Sequence, residues 1–270
     1  MTIDARTRPI LIGHDAGHYE LPAQILKVRD EHARVEEALH KLRTDGNADP
    51  EAAMVDVTLE LVREGGAVPA GDLLKRATRL TQQAAARDVA IRALVRVQEM
   101  AAEEVSAQVQ WFGDKVIAAL ATALDDTIGQ ARGASAALRG VLPSRDVIAA
   151  GLVSEEIRDA YGVLVAQSAR YGAIRSARFS LILLGIRSQR DESNIFLEFK
   201  NFDAVWPNFH KGGDPPWPAD SLERLLWIVS GPAEPWIPTP LEQDARWLEY
   251  REAVKARQAR PLARRTALAE

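Results

Sequence analysis

A chain of 270 residues, 47% hydrophobic and 27% charged, has enough apolar material to bury a core in one large or two modest domains, which excludes disorder of the whole. Its formal charge of -4 argues against the general positive field that draws a protein to nucleic acid. With no cysteine, disulfide and thiolate chemistry are excluded, and a cytoplasmic location is expected. No apolar run approaches the roughly 18 residues of a spanning helix, so no membrane span is expected. Abundant arginine and alanine suggest the coding bias of a bacterial or phage gene.

Residues 1–20 carry Gly13, Gly17 and two histidines and read as an irregular arm. From Leu21 the pattern tightens. Ile25, Val28, His32, Val35, Leu39 and Leu42 step alternately by three and four, which is a heptad seam with one polar interruption. These six are the expected self-association residues, most simply of a dimer. His32 either fixes register within the seam or sits at its edge with one nitrogen in water. Asp49-Pro50-Glu51 is a helix start, with a cap, a proline at the first helical position and a carboxylate at the positive end of the dipole. That second helix stops at Gly65-Gly66.

From Pro69 to Pro143 the chain has no internal proline, and Leu73, Ala77, Leu80, Ala84, Ile91, Leu94, Ala101 and Val105 fall on one helical stripe. A single helix of this extent is roughly 100 Å long at about 1.5 Å per residue, longer than one compact domain wraps. It must fold back, pair with another chain, or both. A turn at Trp111-Phe112-Gly113 divides it into two antiparallel helices; the alternative is continuity, at a glycine cost of about 1 kcal/mol.

Ser144 and Ser154 are placed to cap further helices, whose stripe runs from Val147 through Tyr171 and Ile174 to Ile186. Asn194 to Phe202 alternates Ile195, Leu197 and Phe199 against Phe196, Glu198 and Lys200, and is the one strand candidate. Beyond it proline and tryptophan dominate, with Trp206, Trp217, Trp227, Trp236 and Trp247 recurring about a dozen residues or fewer apart. Prolines confine helix to the island Ser221 to Val229, opened by Asp220-x-x-Glu223. Thr239-Pro240-Leu241-Glu242 then starts a last helix that ends in a basic tail.

Chemistry-bearing patterns are few. There is no nucleophile elbow, phosphate loop or dinucleotide fingerprint. Glu37-x-x-His40 and His14-x-x-x-His18 have ligand spacings without the further ligands a metal needs. No catalytic, cofactor or metal site is therefore expected, and the chain leans away from being an enzyme. The tryptophan segment either wraps the helical body as a belt, each ring filling a groove, or presents some rings as a partner-binding patch. Trp206, Trp217 and Trp236 are the candidates for such a patch, and Arg257, Arg260, Arg264 and Arg265 for a docking tail that grips an acidic partner or phosphate.

The expected architecture is mainly α. An irregular arm (1–20) leads to an elongated helical bundle or coiled-coil body (21–190). A small irregular Trp/Pro-rich lobe (191–240) follows, with at most a short β element near 194–202, and then a basic C-terminal helix and tail (241–270). The expected role is a scaffold that self-associates through its seams and binds another protein through the C-terminal lobe. The alternative is a regulator that contacts nucleic acid through the basic helix.

Overall fold

The computed structural model describes residues 3–44, 50–63, 70–139, 142–209 and 214–267. Among them are ten α-helices and one 3-10 turn, and no strand: α1 (Arg8–Asp15), α2 (Ala23–Thr44), α3 (Pro50–Arg63), α4 (Ala70–Trp111), α5 (Gly113–Ala137), α6 (Arg145–Ala149), α7 (Glu155–Leu183), the 3-10 turn Asp191–Phe196, α8 (Phe202–Val205), α9 (Ser221–Ser230) and α10 (Pro240–Ala267). The mainly α expectation is met. The chain divides into two compact units, one of Met1–Asp4 with Ala23–Gln108, the other of Ala5–Pro22 with Val109–Glu270.

In the first unit the seam of α2 alternates between deep and shallow positions. Ile25, His32 and Leu39 are buried, while Val28, Val35 and Leu42 are half-buried. His32 is 3% exposed and its Nε2 has no partner, so it lies inside the stripe and not at a watered edge. On α4, Leu73, Ala77, Leu80, Ala84, Arg87, Ile91 and Leu94 form a half-buried stripe in steps of four and three, which continues into buried Gln98 and Val105. Arg87 interrupts that stripe for a reason. Its Nε donates to the Leu42 carbonyl at 2.7 Å and its Nη2 to that of Arg43 at 3.1 Å. A cation thus fills the C-terminal end of α2, where orphan carbonyls and the negative end of the dipole coincide. Asp49 and Gly65-Gly66 lie outside the described residues.

The second unit is built on α5 and α7, which pack along each other; α1 lies on α7, α9 on both, and the 3-10 turn against α10. Val116, Leu120 and Leu124 on α5 and Leu164, Ile174 and Leu181 on α7 have no exposed surface. Each such side chain stabilises the fold by about 1.5–3 kcal/mol relative to exposure. Caps set the helix starts as expected. Ser144 accepts from Val147 N, Ser154 from Ile157 N, and Asp220 from Leu222 N and Glu223 N. Thr239 and Glu242 close a reciprocal box, with Thr239 N donating to Glu242 Oε2 at 2.8 Å and Glu242 N to Thr239 Oγ1 at 3.2 Å.

Two expectations need correction, and the break expected at Trp111-Phe112-Gly113 is found there. The arm over residues 1–20 is not irregular throughout: residues 8–15 are helix, with Pro9 in the first turn of α1 and Ile10 and Leu11 buried. Gly17, at φ +72°, ends that helix: His18 N donates to Gly13 O at 2.9 Å and Gly17 N to His14 O at 2.8 Å, a closure that needs a left-handed residue. At Trp111-Phe112-Gly113 the interruption is one residue, Phe112, at φ -96° and ψ 18°. Gly113 is closely approached there: a Cβ on it would stand 2.6 Å from Ile186 Cδ1, so the end of that side chain would have to shift. Finally, 194–202 is not a strand. Its buried rings are Phe196, Phe199 and Phe202, three apart, so the burial period is that of a tight helix and the apparent alternation is coincidental. What remains of β structure is one isolated bridge between Phe199 and Pro235, held by Lys200 N to Glu234 O at 2.8 Å and Trp236 N to Glu198 O at 3.2 Å.

An arginine-lined cleft as candidate functional site

Residues 171, 175 and 178 are four and three apart, so α7 presents Tyr171, Arg175 and Arg178 on one face. Opposite them, α9 carries Arg224 in its first turn, oriented by the Asp220 cap, and the bridged segment carries Leu197 and Glu198. These groups line a cleft of about 350 Å³ in the second unit, with the exposed ring of Phe179 at its margin.

The arginines first fasten the chain. Arg175 donates from Nη1 to the carbonyl of Trp236 at 2.7 Å and of Leu197 at 3.4 Å, and from Nη2 to that of Glu198 at 2.8 Å. Arg178, 1% exposed, reaches the carbonyls of Ile186 at 3.3 Å and Pro238 at 3.1 Å. A planar fork with five donors can serve several carbonyls at once, which an ammonium cannot do in this geometry. Backbone that would otherwise be buried without partners is satisfied in this way. Arg224 differs. Its Nη2 pairs with Glu198 Oε1, the same oxygen that accepts from the Tyr171 hydroxyl at 2.9 Å.

The electrostatics follow. The hydrogen bonds of Arg175 and Arg178 go to neutral carbonyls, so neither has a countercharge of its own among the described residues. Burial, followed by the repulsion of Arg175, pulls Arg178 down to about 10. Burial, partly countered by Arg175, pushes the Tyr171 phenol up to about 12, so it keeps its proton at neutral pH. The cleft therefore offers fixed cations, one shared carboxylate and a phenol donor. That arrangement holds charge.

The tryptophans lie in a ring cluster beside the cleft. Trp217 stands 5.3 Å from Phe199, 5.3 Å from Trp206 and 6.0 Å from Trp227, mostly tilted or edge to face, and each of these tryptophans is half-buried. Trp236 donates its indole N–H to the Phe196 carbonyl at 2.6 Å. Trp206, Trp217 and Trp236 thus line the lobe's own small core as well as its rim. Arg257, Arg260, Arg264 and Arg265 fall on α10, but their side chains lie outside the described residues. Of the histidine pairs, His14 Nδ1 meets the Tyr19 carbonyl at 3.1 Å. Among the described residues no group of three or more His, Asp or Glu is placed to hold a metal ion, and no helix is long and apolar enough to cross a membrane.

Sequence reasoning missed Tyr171, Arg175, Arg178, Glu198 and Arg224. One signal was available: Arg178 occupies a core position in the stripe Tyr171, Ile174, Arg178, Leu181, and a cation there needs acceptors from elsewhere. No protein-family model, no curated protein and no solved structure matches the chain.

Proposed function

We propose that the chain is a non-enzymatic helical assembly protein that self-associates and engages another protein through its C-terminal lobe; because Ile25, His32 and Leu39 of the α2 seam are already buried within the chain, the pairing is assigned to α4 instead of to that seam. The observation that carries this reading is a second apolar face on α4. Val89 and Met100 are 58% and 57% exposed and at helical spacing fall on the far side from the half-buried stripe of Leu80, Ile91 and Leu94, with Val97, 45% exposed, on the flank between. A helix apolar on two faces has a use for both. The charges on α4 favour a second copy as the occupant. Exposed Arg92 and Arg96 precede Glu99 and Glu103; Arg96 pairs with Glu99 within the chain at 3.2 Å, and an antiparallel copy sets Arg92 opposite Glu103 across a two-fold axis. For the lobe, the half-buried rims of Trp206 and Trp217 are the kind of rigid aromatic surface that anchors protein partners.

Sedimentation equilibrium on the pure protein tests the pairing. The expected mass is twice 29.7 kDa, falling to 29.7 kDa when Val97 and Met100 are both changed to Asp. A wild-type monomer at micromolar concentration, or a dimer indifferent to the double substitution, overturns the reading.

A further inference from the structure

The arginines of the cleft do more than fasten backbone. Arg175, Arg178 and Arg224 bring three positive charges to its lining, against the single carboxylate of Glu198. Each of the three leaves its Nε–H without an acceptor. Arg224 has a donor to spare: its side chain is 29% exposed, and its Nη1 makes no hydrogen bond among the described residues. Its plane is already oriented, stacked 5.1 Å from the Trp217 ring centroid, as that of Arg175 is 5.0 Å from Tyr171. Cations held by aromatic faces and carbonyls need little reorganisation to receive an anion. Glu198 stands against such a ligand, but its Oε1 is engaged by both Tyr171 and Arg224, so its field is partly spent on them.

We propose that this cleft binds the phosphate group of a small organic phosphate, with Arg224 as the direct contact and Arg175 and Arg178 as the positive field behind it. The charge matches: the lining carries two more cations than anions, and a phosphate monoester carries about -1.5 to -2 at pH 7. The size and polarity match as well. About 350 Å³ is more than an inorganic phosphate fills, and Phe179 and Leu197 give an apolar wall for the organic part. Arginine forks are the side chains best suited to phosphate oxygens in a planar, two-point contact.

The test is calorimetric titration of the full chain at fixed ionic strength with inorganic phosphate, phenyl phosphate and benzoate. Phenyl phosphate is expected to bind saturably and at least tenfold more tightly than inorganic phosphate, with benzoate weaker than phenyl phosphate. Arg224→Gln should weaken phenyl phosphate at least tenfold, and Glu198→Gln, which removes the opposing charge while keeping the shape, should tighten it several-fold. No saturable binding by any probe, or identical affinity in wild type, Arg224→Gln and Glu198→Gln, overturns the proposal. Benzoate binding as tightly as phenyl phosphate would also overturn it, in favour of a carboxylate site. Should Arg224→Gln fail to fold by circular dichroism, Glu198→Gln alone decides: unchanged or weaker binding sinks the assignment.

Discussion

Where α5 meets α7 in the second unit, leucine, isoleucine and valine lose all their exposed surface, whereas along the first 25 residues or so of α4 in the first unit the stripe residues stay half-covered. The difference lies partly in side-chain size. Two of the stripe positions on α4 are Ala77 and Ala84 and one is Arg87, so each turn buries less apolar area than a turn of α7 that brings Leu164 or Ile174. Both regions are regular helix with good periodicity. Periodicity sets which face is covered; the size of the side chains on that face sets how much the cover stabilises.

The sharpest way to break this comparison is a pair of truncations. Leu164→Ala is expected to cost about 2–5 kcal/mol, as for a fully buried leucine, and Leu80→Ala about 1 kcal/mol. Denaturant titration followed by circular dichroism reads both, and equal costs would mean the two units are held equally well. Next comes the arginine clamp. Arg175→Met leaves the carbonyls of Leu197 and Trp236 without that donor and the carbonyl of Glu198 with the Trp236 N–H alone, and is expected to destabilise the second unit by about 2–4 kcal/mol, with a red shift in tryptophan emission. Arg175→Lys should recover little of this, because one ammonium cannot span three carbonyls.

The smallest effect is a change of slope with pH. Tyr171 titrates near 12 in the folded chain against 10.0 in an unfolded one, so the folded state holds a proton that the unfolded state has released. Its contribution is whole below pH 10 and is lost as pH rises through 12, at about 1.4 kcal/mol per pH unit. Arg178, lowered from 12.5 to about 10, acts with the opposite sign across an overlapping window, so the wild-type curve mixes the two. Comparison with Tyr171→Phe isolates the phenol: the stability gap between wild type and variant should shrink from pH 10 to 12. A constant gap would show that the phenol ionises as readily in the fold as out of it.

The same contrast explains how much could be read from the residues. Helix positions followed from caps and periodicity, which are local: Ser144, Ser154, Asp220 and the Thr239–Glu242 box mark starts that the chain uses. The helix starts of the second unit were legible for that reason, and the stripes of α2 and α4 in the first from periodicity alone. The cleft was not, because its parts come from α7, α9 and the segment around Glu198 and meet only through long-range hydrogen bonds such as Arg178 to Pro238. No local rule pairs an arginine with a carbonyl 60 residues away. The false strand at 194–202 has the same origin, since its aromatic spacing serves the 3-10 turn and the packing of Phe196 against Tyr250, at 5.7 Å between ring centroids.

That arginine clamp also constrains the order in which the protein is made. A nascent chain that has emerged only through α7 carries Arg175 and Arg178 on a helix face with only water to accept their hydrogen bonds, because the Trp236 and Pro238 carbonyls have not yet emerged. The second unit therefore closes late in synthesis, once the stretch ahead of α10 has been released. Truncation anywhere before residue 238 would take away the Pro238 carbonyl that Arg178, itself 1% exposed, donates to, and leave a buried cation short of an acceptor.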